Sequence, residues 1–152
     1  MSNPEFLAGQ TVPAGKLQDL GEYSTFVPTL TGSSTNPALG SGGSFSADVH
    51  ANGRLITVIY TLKFGTGGGG GSGFYLFPTP TNIFSASFSW AWGTVLMRDA
   101  SVPIPRVGIV RNYDVNHMLI TCASDDANVN NTTPWTWTVD DEIMGSFTYL
   151  SV

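Results

Sequence analysis

The sequence predicts an all-β domain, an antiparallel β-sandwich of jelly-roll type, preceded by a short N-terminal helical arm. Three observations carry the prediction. Apolar and polar residues alternate with a period of two along much of the chain, the pattern of strands that bury one face. Turn-forming residues interrupt that alternation at short intervals, and the 152 residues include 18 Gly and 9 Pro. Charged residues make up only 11% of the chain against 12% aromatics, which suits large core side chains and surfaces that pack against other subunits.

Residues 1–24 read as the arm and residues 25–152 as the β domain. Val12, Leu17 and Leu20 fall at helical spacing, with Pro13 near a start and Gly21 just past an end. A helix this short is marginal alone and has to dock on something. The segment reads equally as an attachment segment, with Val12, Leu17 and Leu20 as candidate anchor residues, and as an ordinary arm covering the sheet.

From Thr25 onward the pattern is β. Ser44 to His50 alternates, with Phe45, Ala47 and Val49 on one face and Ser46, Asp48 and His50 on the other. Asn52-Gly53 is a tight-turn dipeptide leading into a second strand, Arg54 to Phe64. That strand carries Ile56, Val58, Tyr60, Leu62 and Phe64 on one face and Leu55, Thr57, Ile59 and Thr61 on the other. A strand apolar on both faces is central or lies at an interface. Gly65-Thr-Gly-Gly-Gly-Gly-Gly-Ser-Gly73 reads as a flexible loop at a hairpin tip.

Phe74 to Phe77 is a short strand closed by Pro78-Thr-Pro80. Ile83 to Met97 is the longest β candidate, with Phe84, Phe88, Trp90, Trp92 and Leu96 opposed by small residues, and Gly93 as a possible bulge. Further strands are expected at Ile104–Val110, Val115–Ala123, Trp135–Val139 and Gly145–Val152. Roughly eight short strands with Gly, Pro and Asn turns fit a sandwich or jelly roll.

The chemistry read from the residues is sparse. The net charge of −5, with six scattered Lys and Arg, disfavours nucleic-acid binding, since an acidic surface repels phosphate. The single cysteine, Cys122, permits no intrachain disulfide, which fits assembly in a reducing cytoplasm, and it reads as a small core residue. No stretch is apolar enough to span a membrane, and the N-terminus does not read as a signal peptide. Gly68-x-Gly70-x-x-Gly73 has the letters of a dinucleotide fingerprint, but a strand follows where the fingerprint needs a helix.

His50 with Asp48 and His117 with Asp114 could form a metal site if their strands pair, and solvated polar faces explain them as well. Asp125-Asp126 and Asp140-Asp141-Glu142 could act as paired carboxylates or calcium ligands, and they read more simply as solvated turn caps. No catalytic residue, metal or cofactor is expected. Trp135 and Trp137 sit two apart and share a face, so they could stack on sugar rings or fill the core. Asn112, Tyr113 and Asp114 form a polar-aromatic turn that could touch a glycan.

Several phrases carry a resemblance. They are Val27-Pro-Thr-Leu-Thr with Asn36-Pro-Ala-Leu-Gly40, Ile56-Thr-Val-Ile-Tyr-Thr-Leu-Lys-Phe-Gly65, and Trp135-Thr-Trp-Thr-Val-Asp-Asp-Glu-Ile with Gly145-Ser-Phe-Thr-Tyr149. The stretch from Thr25 to Val152 resembles a β-sandwich domain of minor tail and tail-fibre proteins from phages that infect actinobacteria. The resemblance implies a virion structural protein, assembled in the host cytoplasm, that contributes to host attachment and is not an enzyme. Expected partners are further copies in a homotrimer, other virion proteins of tail or capsid, and a host surface glycan. A capsid decoration protein that stabilises the head is the alternative. A cell-wall glycan-binding or depolymerising protein ranks below both.

Overall fold

Ten strands form among the described residues, and every ladder between them is antiparallel. The structure, a computed structural model, describes residues 21–81, 91–102 and 104–152. The strands are β1 (Glu22–Phe26), β2 (Thr31–Gly32), β3 (Ser44–Asn52), β4 (Leu55–Lys63), β5 (Tyr75–Pro78), β6 (Ala91–Arg98), β7 (Arg106–Asn112), β8 (His117–Cys122), β9 (Ala127–Asn128) and β10 (Glu142–Leu150). They make one continuous sheet in the order β1-β3-β4-β10-β6-β7-β8-β5-β2, with β9 beside β8. The all-β class is as expected, and there is no helix among the described residues.

The sheet curls on itself. β4 and β5 lie far apart in strand order, yet the Tyr60 hydroxyl donates to the Pro78 carbonyl. Phe45 of β3 meets Phe77 of β5 edge-on at 5.8 Å, and Phe64 lies 6.3 Å from Tyr75. Side-chain size on the inner face permits the curl. One inner row runs Ala47, Tyr60, Gly145, Val95, Gly108, Cys122 across six paired strands, and the next runs Val49, Val58, Phe147, Gly93, Val110, Ile120. Glycine therefore sits beside an aromatic or branched residue in each row. A Cβ on Gly93 would fall 2.0 Å from the Ser146 carbonyl oxygen, and one on Gly108 would fall 2.4 Å from Ile120 Cγ2. Curling brings inner side chains together, and small residues there give the large ones room.

The β3–β4 turn lies one residue later than the sequence suggested. Asn52 pairs with Leu55, so Gly53-Arg54 is the two-residue loop. Gly53 has φ +60° and Arg54 has no positive φ, which is the type II′ pattern with glycine at its first central position.

The glycine segment 65–73 is not a flexible hairpin tip. It is one arm of a paired ribbon whose other arm is residues 33–43. Ser41 and Thr66 exchange amide hydrogen bonds of 2.9 Å each way, Ala38 and Gly69 bonds of 3.0 and 2.8 Å, and Thr35 and Ser72 bonds of 3.2 and 3.1 Å. These bridges continue the β3–β4 ladder without a slip into the β2–β5 ladder, from Asn52↔Leu55 through Ser44↔Lys63 to Thr31↔Leu76. Chain 31–76 is thus a single long hairpin, bent at its glycines and carried from one side of the curled sheet to the other. Gly65 is needed for the close approach of the arms, since a Cβ there would lie 2.2 Å from the Ser41 carbonyl oxygen. Gly69 supplies a left-handed bend at φ +89°.

Other expectations change at their edges. β1 straddles the boundary placed between residues 24 and 25. Val12, Leu17 and Leu20 lie outside the described residues, as do Phe84, Phe88 and Trp90. Residues 91–97 of the predicted long strand are realised in β6, with a register shift between Ala91 and Gly93. The predicted strand Trp135–Val139 does not form, because the chain there wraps around a buried carboxylate.

Candidate functional site

That carboxylate is Asp141. It is fully buried, although its run Asp140-Asp141-Glu142 reads as a solvated turn. Asp140 sits at φ +66° and points outward to Lys63 Nζ at 2.7 Å. The reversal turns Asp141 inward. Its Oδ1 accepts the Ala100 amide at 2.9 Å. Its Oδ2 accepts the Thr138 amide at 2.8 Å and the Trp135 indole N–H at 3.1 Å. One side chain thus ties the β6–β7 turn, the 135–138 loop and the start of β10 together. Such satisfaction is what a buried charge requires.

The two tryptophans play different parts. Trp137 is only 3% exposed and lies 5.2 Å from Phe64 and 6.4 Å from Tyr75, ring centre to ring centre. Its indole N–H donates to the Asn130 carbonyl at 2.8 Å. Trp135 covers it at 5.1 Å and is half-buried. Both indole donors are therefore used inside the protein, and only part of Trp135 meets solvent. Tyr113 and Asn112 lie at the other end of the strands. Trp135 and Asp141 adjoin the Glu142↔Arg98 pair, whereas Asn112 follows Arg111, which pairs with Ala91 at the opposite end of β6. The four residues singled out for glycan contact do not converge.

The histidine pairs do not converge either, because the strands that would have to pair do not. β3 pairs with β1 and β4, and β8 pairs with β5, β7 and β9. The Asp114 carboxylate is 2.9 Å from His117 Nδ1 and also accepts the Asn116 amide at 2.7 Å, closing the β7–β8 turn. Among the described residues no three His, Cys, Asp or Glu side chains gather as a metal site would need. Cys122 is fully buried with its thiol 3.2 Å from Ser124 Oγ. Asp125 bonds the Arg106 guanidinium at 2.5 Å.

Three core tyrosines pin the chain around β5. Tyr60 holds Pro78, the Tyr75 hydroxyl donates to the Gly70 carbonyl at 2.8 Å, and Tyr149 meets Thr81 Oγ1 at 2.9 Å. Burial, helped by the nearby Tyr149, holds the Tyr60 hydroxyl far above the usual phenol range. Burial pushes Tyr75 up to about 12. It raises Tyr149 too, with the Thr81 hydrogen bonds partly offsetting it.

The outer face of the central strands is the surface that the sequence reading only touched. Ile59 of β4, Met144 of β10, Leu96 of β6 and Val107 of β7 all point outward and are 49%, 38%, 47% and 48% exposed. Met144 pairs with Leu96, and Leu96 with Val107, so they form an apolar row across three strands. Beside it lies a shallow depression of about 420 Å³ lined by Thr94, Leu96, Val107, Met144 and Ser146. The signal was present in the two-faced strand 54–64, but the partners of Ile59 could not be known without the sheet order. No family model, curated protein or solved structure matches this chain.

Proposed function

We propose that this chain is a bacteriophage virion structural protein, a minor tail protein that contributes to host attachment. In this reading the curled sheet serves as a jelly-roll-like sandwich, the protein assembles as a homotrimer, and its role is structural and not catalytic. The observation that carries the reading is the exposed apolar row Met144–Leu96–Val107 with Ile59 beside it, on a protein with few charges. Large outward apolar side chains set together on a sheet suit packing against another protein. The resemblance of Thr25–Val152 to phage tail domains supplies the setting. The acidic residues support a structural role as well, since Asp141, Asp125 and Asp140 are each engaged in bonds that hold turns.

Residues 1–24 serve as the anchor to the particle, through Val12, Leu17 and Leu20, and part of Trp135 and the Tyr113 turn are left to meet a host glycan. Gold-labelled antibody imaging of intact particles tests the assignment. Label at the tail tip is expected. Label spread over the head would replace the attachment role with capsid decoration, and unlabelled particles would refute a virion role altogether. Deleting residues 1–24 should abolish incorporation; retained incorporation would refute the anchor.

A further inference from the structure

We infer that the outer face of β4, β10, β6 and β7 is the contact between copies of this chain, with three copies closing around an axis that Ile59, Met144, Leu96 and Val107 face. The inference rests on the homotrimer reading and says which surface makes it. Its support is chemical layout. The apolar residues occupy the middle of the face, and opposite charges stand at its two lateral margins. Asp48 on β3 pairs with Ile59 at one margin. Arg111, the next outward residue after Ile109 on β7, stands at the other. Among the described residues neither makes an ion pair.

In a ring, the left margin of each copy meets the right margin of the next, so an acidic side and a basic side satisfy each other at every contact. The charges at the Glu142 end are already paired within the protomer, Arg98 to Glu142 at 3.1 Å and Lys63 to Asp140 at 2.7 Å. They form a neutral polar rim there.

The test uses light scattering after size exclusion on the full chain. The wild type is expected at three times the chain mass. Leu96→Arg should reduce the mass threefold with an unchanged far-UV circular dichroism spectrum. Asp48→Arg and Arg111→Asp should each weaken the trimer at least tenfold, and the double variant should restore it. The charge pair decides the matter if Leu96→Arg fails to fold. A monomeric wild type, a trimer untouched by Leu96→Arg, or a double variant no better than the singles would overturn the inference. None of these results depends on where antibody labels the particle, so failure of the interface and failure of the virion role are read separately.

Discussion

Replacing Asp141 with alanine removes one buried carboxylate that three N–H groups share. The Ala100 amide at 2.9 Å, the Thr138 amide at 2.8 Å and the Trp135 indole at 3.1 Å would all lose their partner in a part-buried setting. Each stranded donor costs about 1–3 kcal/mol. Partial relaxation of the 135–138 loop recovers some of this, so the expected loss is about 4 kcal/mol, a large part of the ~5–15 kcal/mol that holds a domain of this kind. Asp141→Asn keeps one oxygen acceptor but turns an NH₂ toward a backbone N–H, and about 2 kcal/mol is expected. Urea unfolding followed by tryptophan fluorescence reads both, since Trp135 and Trp137 lie on the spot. With a urea slope of ~1–3 kcal/mol per molar, the alanine variant should unfold at a midpoint lower by roughly 2 M. A midpoint within ~0.5 M of wild type, or an asparagine variant weaker than the alanine one, would refute the shared-acceptor argument.

Other consequences follow from the same geometry. Gly65→Ala should destabilise by ~2 kcal/mol or more, because its Cβ meets the Ser41 carbonyl, whereas Gly67→Ala, at φ +74° with open space around it, should cost only ~1 kcal/mol; equal thermal melts for the two would argue against a tight ribbon. Trp137→Ala should cost ~3–5 kcal/mol, since it empties the space between Phe64 and Tyr75, and Trp135→Ala clearly less; calorimetric melts should rank them so, and the reverse order would count against Trp137 as the core residue. Stability should also fall in alkali. Tyr60, Tyr75 and Tyr149 have folded pKa values raised above the unfolded value near 10, so their contribution is whole below pH 10. As pH rises past 10 the unfolded chain releases these protons while the folded one retains them, and stability drains away through about pH 12. Urea midpoints that hold level from pH 9 to 11.5 would contradict this.

The all-β class was legible because alternation is written into β3 and β4, where each buried residue is two from the next. β1 was not, since Glu22, Tyr23, Ser24 and Thr25 are all exposed and form no apolar face. Alternation also misled. Trp135 and Trp137 mimic a strand, but Asp141 draws the loop around itself, and nothing in an Asp-Asp-Glu turn reveals which carboxylate points inward. The glycine segment was opaque for a third reason. Pairing is read from side-chain faces, and a run of glycines has none. The outer apolar row needed the sheet order, because Met144 comes from β10, a strand distant in sequence from the β6 and β7 that carry Leu96 and Val107.

The unbroken register of chain 31–76 ties the lengths of two segments that look independent. An extra residue anywhere in 66–72 would offset every pairing beyond it toward β5 and turn Tyr75 and Phe77 away from the interior. An extra residue in 34–42 would do the same to β2. Only matched changes in both arms keep the ladder aligned, so insertions and deletions should survive in this protein as couples, one in each arm. The glycine run is thus closer to a gauge than to a tether: its composition can drift where space allows, but its count cannot change alone.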